Sequence, residues 1–360
     1  MSDKKLWGVI AACVLFWTDA GGVADDAIRL PRKSPAGADE SYPGVEVRYD
    51  AIRDAVGHRL RLIVTHPHGS AIRYPTIFVT GWLSCDTVEA PAGTTDATQL
   101  VLRSIAKLPG FATVRLEKAG VGDSEGNCST TDFNQELAAY QLAFLQLKNY
   151  AFVDTRQVFI LGISNGGGFA PLVPQGAFVK GYVVDGGWVK TWFEHMLEIE
   201  RRRLALAGHS PAEVNALMKS VAALYSAYLL ERRSPQEIFE KRPELAGLWD
   251  GKPNQQYGRP VAYYQQLQDL NLVEAWSKVA VPVLALHGEF DWIMSRSDIE
   301  MIAWLVDHNA PGMADSKELP ATGHTFEHYD SLAQAFAGKA QPFDDRVARL
   351  IGDWFLHHRL

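Results

Sequence analysis

A chain of 360 residues, 47% apolar and 21% charged, can bury one large core, and a single α/β unit with an insertion accounts for the length as well as two domains do. The net charge of −7 and the lack of any Lys/Arg stripe argue against a nucleic-acid partner, and no repeat, coiled coil or low-complexity tract is visible.

In chain order, Lys4 and Lys5 precede the apolar run Leu6–Trp17, and the small residues Gly22 and Ala24 follow. That pattern reads as an export signal over 1–24, too short for a membrane span, which places the mature protein in a periplasmic or extracellular space. Ile10-Ala11-Ala12-Cys13 also resembles a lipoprotein processing box, so a lipid anchor at Cys13 stands as the alternative to cleavage near Ala24. Either way, an oxidising compartment lets Cys85 and Cys128 pair, since both fall in loops leaving the same edge of the expected sheet.

Residues 25–43 read as a loosely held lead-in. Period-two alternation in 45–49 and 58–64 predicts half-exposed edge strands. Buried apolar runs follow at 75–81, 112–116, 157–162, 179–184 and 281–286, with a last short strand at Glu318-Leu319. Helical periodicity over 97–108, 132–149, 297–308 and a C-terminal segment through Val347 and Trp354 separates them. The expected fold is α/β: a mostly parallel central sheet with helices on both faces, built from 25–187 and 278–360. Between them, 188–277 is helical and rich in aromatics, including Trp188 and Trp192, and reads as an inserted helical cap.

Gly162-Ile163-Ser164-Asn165-Gly166 follows one apolar run directly and leads into Gly167 and Gly168. A serine between a buried strand and a helix sits on a tight turn, with its hydroxyl projecting outward and the helix N-terminus directing amides at developing negative charge. Serine needs a base, and His324 in the loop after the last strand is the candidate; His328 is its rival, on what reads as the first turn of a helix. Asp291, just beyond the run 281–286, is the expected acid, with Asp185 and Glu289 as competitors. Amides of Asn165 and Trp82 are the expected oxyanion donors. Dispersed histidines offer no zinc spacing, no dinucleotide fingerprint follows the first strand, and no cofactor is called for.

These residues resemble the α/β-hydrolase superfamily over roughly 45–358. By that resemblance, Gly162–Gly166 is the nucleophile elbow, Asp291 the acid and His324 the base. Arg115–Gly126 is similar to the glycine turn of serine aminopeptidase-like and acyl-esterase-like branches, in which it shapes the site, so Ser124 is not the nucleophile. Thr80-Gly81-Trp82 departs from the His-Gly-Gly loop of hormone-sensitive-lipase-like enzymes. The implied activity is carboxylic ester hydrolysis through an acyl-enzyme, with Trp82, Trp188 and Trp192 lining an apolar pocket. A serine aminopeptidase or amidase acting on short peptides would instead need a cap carboxylate for a substrate ammonium, and Glu194, Glu198 and Glu200 are the sources. A thioesterase would use the same three catalytic residues, and a non-catalytic module could use the same fold for binding alone.

Overall fold

The computed structural model describes residues 29–34, 39–69, 73–252 and 254–359. The expected export signal over 1–24, with Cys13, lies outside the described residues.

Strands β1 (Val45–Arg53), β2 (Arg59–Pro67) and β3 (Tyr74–Thr80) lead into α1 (Ala97–Ala106), β4 (Ala112–Leu116) and α2 (Phe133–Gln146). Then come β5 (Val153–Ile163), the single turn α3 (Gly166–Phe169) and β6 (Gly181–Asp185). An insertion follows: α4 (Trp192–Leu206), α5 (Pro211–Tyr225), α6 (Pro235–Lys241), the hairpin β7 (Gln255–Gln256) and β8 (Arg259–Pro260), α7 (Val261–Gln268) and α8 (Leu272–Ser277). The alternation resumes with β9 (Val283–Gly288), α9 (Arg296–Asn309), β10 (Ala314–Leu319), α10 (Leu332–Phe336) and α11 (Arg346–His358).

Eight strands form one sheet in the order β1-β2-β4-β3-β5-β6-β9-β10. Strand β2 runs antiparallel to both neighbours, and every pairing from β4 to β10 is parallel. Alternate residues feed two cores. Ile77 and Val79 of β3 pack with α1 and α11, whereas Phe78 between them packs with α2. Burial on both faces explains why the central strands read as continuous apolar runs.

The insertion's helices are defined by their caps. Thr191 and Glu194, Ser210 and Glu213, and Ser234 and Glu237 each form a capping box at the start of α4, α5 and α6. Glu194 is thereby committed to its own helix terminus.

Two expectations are corrected here. Strand β2 is neither an edge nor half exposed, because its polar face is buried in an ionic network: Arg61 bonds Glu117 at 2.8 Å, Asp123 at 2.5 Å and Glu89 at 2.8 Å. Nor are the described parts of the lead-in loose. Arg32 pairs with Glu89 at 2.6 Å, and the buried Glu40 takes both ends of the Arg115 guanidinium at 2.8 and 2.6 Å. Alternation alone cannot tell a solvated polar face from one buried against paired charges.

Cys85, in the loop after β3, and Cys128, after β4, form a disulfide across 43 positions of sequence. Arg259 of β8 donates to the Cys128 carbonyl at 3.2 Å and pairs with Glu136 of α2, which binds the hairpin to the same place. Closing a loop of that length removes unfolded-state entropy worth about 4 kcal/mol. The Cys85→Ala/Cys128→Ala variant is expected to lose stability up to that amount, read as a lowered urea midpoint that reductant no longer affects.

Candidate active site

Ser164 follows β5 on a backbone with φ +56°, a conformation that costs a side-chain-bearing residue about 1 kcal/mol. Its N–H donates to the Asp185 carbonyl at 2.8 Å, which fixes the turn against β6. Gly166 is required by close approach: a side chain there would run into the Thr80 carbonyl. The Thr80 hydroxyl completes the junction by donating to the Gly166 carbonyl at 2.8 Å.

The serine hydroxyl lies 2.7 Å from His324 Nε2, and His324 Nδ1 lies 2.7 Å from Asp291 Oδ2. Asp291 is held from its other oxygen, since Oδ1 accepts the amides of Ile293 at 2.8 Å and Met294 at 2.9 Å. Gly186, at φ +55°, clears space for the ring, because a side chain there would begin 2.9 Å from His324 Cε1. Burial alone would raise Asp291 and lower His324. The attraction between them outweighs it, so the carboxyl titrates below and the imidazole above its ordinary value.

The competitors are placed elsewhere. The Asp185 side chain is buried and makes no hydrogen bond among the described residues; burial, with Asp291 and Glu327 nearby, pushes it well above the carboxylate range. Glu289 accepts the Ala321 amide at 2.8 Å. His328 is on no helix: it bridges Thr322 and Gln341, and α10 begins only at Leu332. The Ser124 hydroxyl donates to the Glu117 carbonyl at 2.9 Å and accepts from the Arg61 amide at 2.8 Å, a structural arrangement.

Among the described residues, neither the Trp82 nor the Asn165 amide has an acceptor. The loop carrying Trp82 is held by groups the sequence did not single out. Gly81 donates to the Tyr140 hydroxyl at 3.0 Å, and the buried Lys118 ammonium reaches the carbonyls of Trp82 and of Ser84, the latter at 2.8 Å. Burial, with Arg259 adding repulsion, pushes Lys118 well below an ordinary lysine. Replacing it with methionine would strand two carbonyls and free the loop. Lys118→Met is therefore expected to lower kcat by about 100-fold, with KM much less affected, in steady-state kinetics.

A cavity of about 280 Å³ opens over Ser164 and Asn165. Its apolar lining includes Trp82, Leu83, Trp192, Ile199, Trp292 and Ile293. Trp188 is not part of it: the ring is fully buried over Gly168 and packs edge-on against Trp192 at 5.2 Å, so its expected contact with substrate is withdrawn. Helix α4 brings His195, Glu200 and Arg203 to the polar lining, which also holds Ser84, Asp250, Tyr257 and Thr325. Of these, only Glu200 was a candidate from sequence; the spacing 192, 195, 199, 203 on one helix face was the available signal. Glu198 instead pairs with Lys190 at 2.6 Å. Arg202 ties α4 to the acid's loop, donating to the carbonyls of Trp292 at 2.8 Å and Ile293 at 2.7 Å.

No protein-family model matches the chain, and no curated protein sequence matches it either. Solved structures do match in fold. A thermostable carboxylesterase from a metagenomic library is 16% identical over 89% of this chain and 90% of its own, with TM-score 0.55. Acetyl xylan esterase 1 from a Thermoanaerobacterium species is 15% identical over 92% and 87%, with TM-score 0.52. Carboxyl esterase 2 from the fungus Tuber melanosporum is 13% identical over 89% and 90%, with TM-score 0.52. Identities this low carry architecture alone, and the architecture of this chain is the α/β-hydrolase fold.

Proposed function

We propose that this protein is a serine-dependent hydrolase of carboxylic esters. The observation that carries the reading is the unbroken relay from Ser164 Oγ through His324 to Asp291, both links 2.7 Å long, at the floor of a mostly apolar cavity. His324 takes the serine proton as Oγ attacks the acyl carbon. Asp291 holds the imidazole in the tautomer that leaves Nε2 free to accept, and it stabilises the imidazolium that forms. The unengaged amides of Trp82 and Asn165 would receive the developing oxyanion. His324 then protonates the departing alcohol, and water, deprotonated by the same imidazole, releases the acid from the acyl-enzyme.

Residues 188–277 act in this reading as the cap that shapes the pocket. The disulfide suits an oxidising compartment, in keeping with export directed by residues 1–24. The solved fold neighbours named above are esterases, which makes esters the first substrates to test. Glu200 gives the aminopeptidase reading one foothold, but Arg203 already neutralises it at 2.7 Å.

The test is a panel of p-nitrophenyl esters run beside aminoacyl anilides, with fluorophosphonate labelling of the same preparation. Ester turnover together with labelling at Ser164 is expected. A preference for anilides, or label at another residue, rejects the assignment.

A further inference from the structure

Ester cleavage as described leaves the ionic part of the cavity without a task. Glu200 is only 3% exposed, yet it lines the cavity. Arg203 donates to it twice, from Nε at 2.9 Å and Nη2 at 2.7 Å, and both bonds fall on the same oxygen, Oε2. Among the described residues, Glu200 Oε1 accepts no hydrogen bond and Arg203 Nη1 donates none. A carboxylate oxygen that meets the cavity with no donor from the protein is left to solvent or to a ligand, and in this enclosed space a ligand donor gains more than it would at an acid on the open surface. The pair thus offers one unfilled acceptor beside one unfilled donor.

Charge narrows the choice of ligand. The two ions cancel, so an ammonium approaching Glu200 meets the guanidinium, and a carboxylate approaching Arg203 meets Glu200. A hydroxyl pays neither penalty, because it both donates and accepts. Two adjacent hydroxyls fit the pair, one donating to Oε1 and the other accepting from Nη1. The surroundings agree. His195 is buried against the Trp192 ring at 4.5 Å and burial pushes it down to about 3, so it stays neutral near pH 7. Trp192 and Tyr257 line the same space and offer apolar surface to the C–H faces of a saturated ring.

We infer that the cavity takes the hydroxyl-bearing arm of a neutral ester, an O-acylated sugar or cyclic polyol, with Glu200 and Arg203 as the specificity-determining pair. This rests on the ester hydrolase reading above.

The experiment compares kcat/KM for a mono-O-acetyl methyl xyloside, cyclohexyl acetate and 4-aminocyclohexyl acetate. The wild-type protein is expected to prefer the sugar ester at least about 10-fold over both ring analogues. In Glu200→Leu/Arg203→Met that ratio should fall to about 1; comparing ratios within each variant cancels any loss of folded enzyme. A wild-type preference for the ammonium ester, the absence of any preference, or a ratio that survives in the double variant overturns the inference. If no ester is turned over, it is the hydrolase reading that fails. Tryptophan fluorescence of Ser164→Ala titrated with methyl xyloside then decides the pocket separately. Saturable quenching that disappears when Glu200→Leu/Arg203→Met is added supports it, and absent or persisting quenching overturns it.

Discussion

Ser164→Ala is expected to reduce kcat for the best ester by about 10⁶-fold and to abolish fluorophosphonate labelling. In the proposed mechanism this hydroxyl is the group that forms the acyl-enzyme, and no other hydroxyl is bonded to His324 among the described residues. The substitution should leave the fold intact. The Ser164 amide bonds the Asp185 carbonyl through the backbone, and alanine meets the left-handed conformation at a cost close to that of serine. A thermal midpoint within a few degrees of the parent's would therefore accompany the loss. His324→Ala should cost about as much, and the double variant little more, because the two groups act as one unit. Retention of even a tenth of the activity in Ser164→Ala would remove the serine from the chemistry.

The second large effect separates two buried aspartates. Asp291→Asn should lower kcat by about 10⁴-fold, since the amide cannot hold the imidazole in the required tautomer or support its charge. Asp185→Asn should cost less than about 10-fold. Burial favours the uncharged form of this carboxyl, which makes no hydrogen bond to the relay, and an amide of the same shape fills the same space. The pH profile supplies an independent readout. Only neutral His324 can accept the serine proton, so kcat/KM should fall on acidification through a pKa above the ordinary histidine value of 6.5. Without the Asp291 carboxylate, burial is left as the main influence and it lowers the imidazole, so the acid limb of Asp291→Asn moves to lower pH. Stopped assays across the acid range with matched ionic strength check this. A limb that stays in place, or a larger loss in Asp185→Asn, reassigns the acid.

The elements with one dominant signal were legible in the sequence. Ile77, Phe78 and Val79 feed both cores, so β3 could read only as a buried strand, and the elbow at Ser164 followed from a glycine-flanked serine at a strand end. His324 and Asp291 needed only chain order and their places just after strands. What escaped depends on contacts between distant segments. Lys118 reads as part of a glycine turn until the Trp82 and Ser84 carbonyls are found at its ammonium. Arg61 reads as the polar side of an edge strand until Glu117, Asp123 and Glu89 surround it. Trp188 and Trp192 are four residues apart with the same composition around them, and only the approach of Trp188 to Gly168 sends one into the core and leaves the other at the cavity.

The two charge-assisted bonds from Arg202 constrain how molecules enter and leave. A lid that swung upward on α4 would drag the carbonyls of Trp292 and Ile293 with it, and the amides of Ile293 and Met294 are what anchor the Asp291 side chain. Opening by that motion would disarm the relay each time. Traffic is better served by a fixed mouth, and the exposed Asp250 marks a rim where one exists without displacing α4. An aperture of constant width selects by size, so bulky acyl groups would be refused at the entrance before they reached the serine.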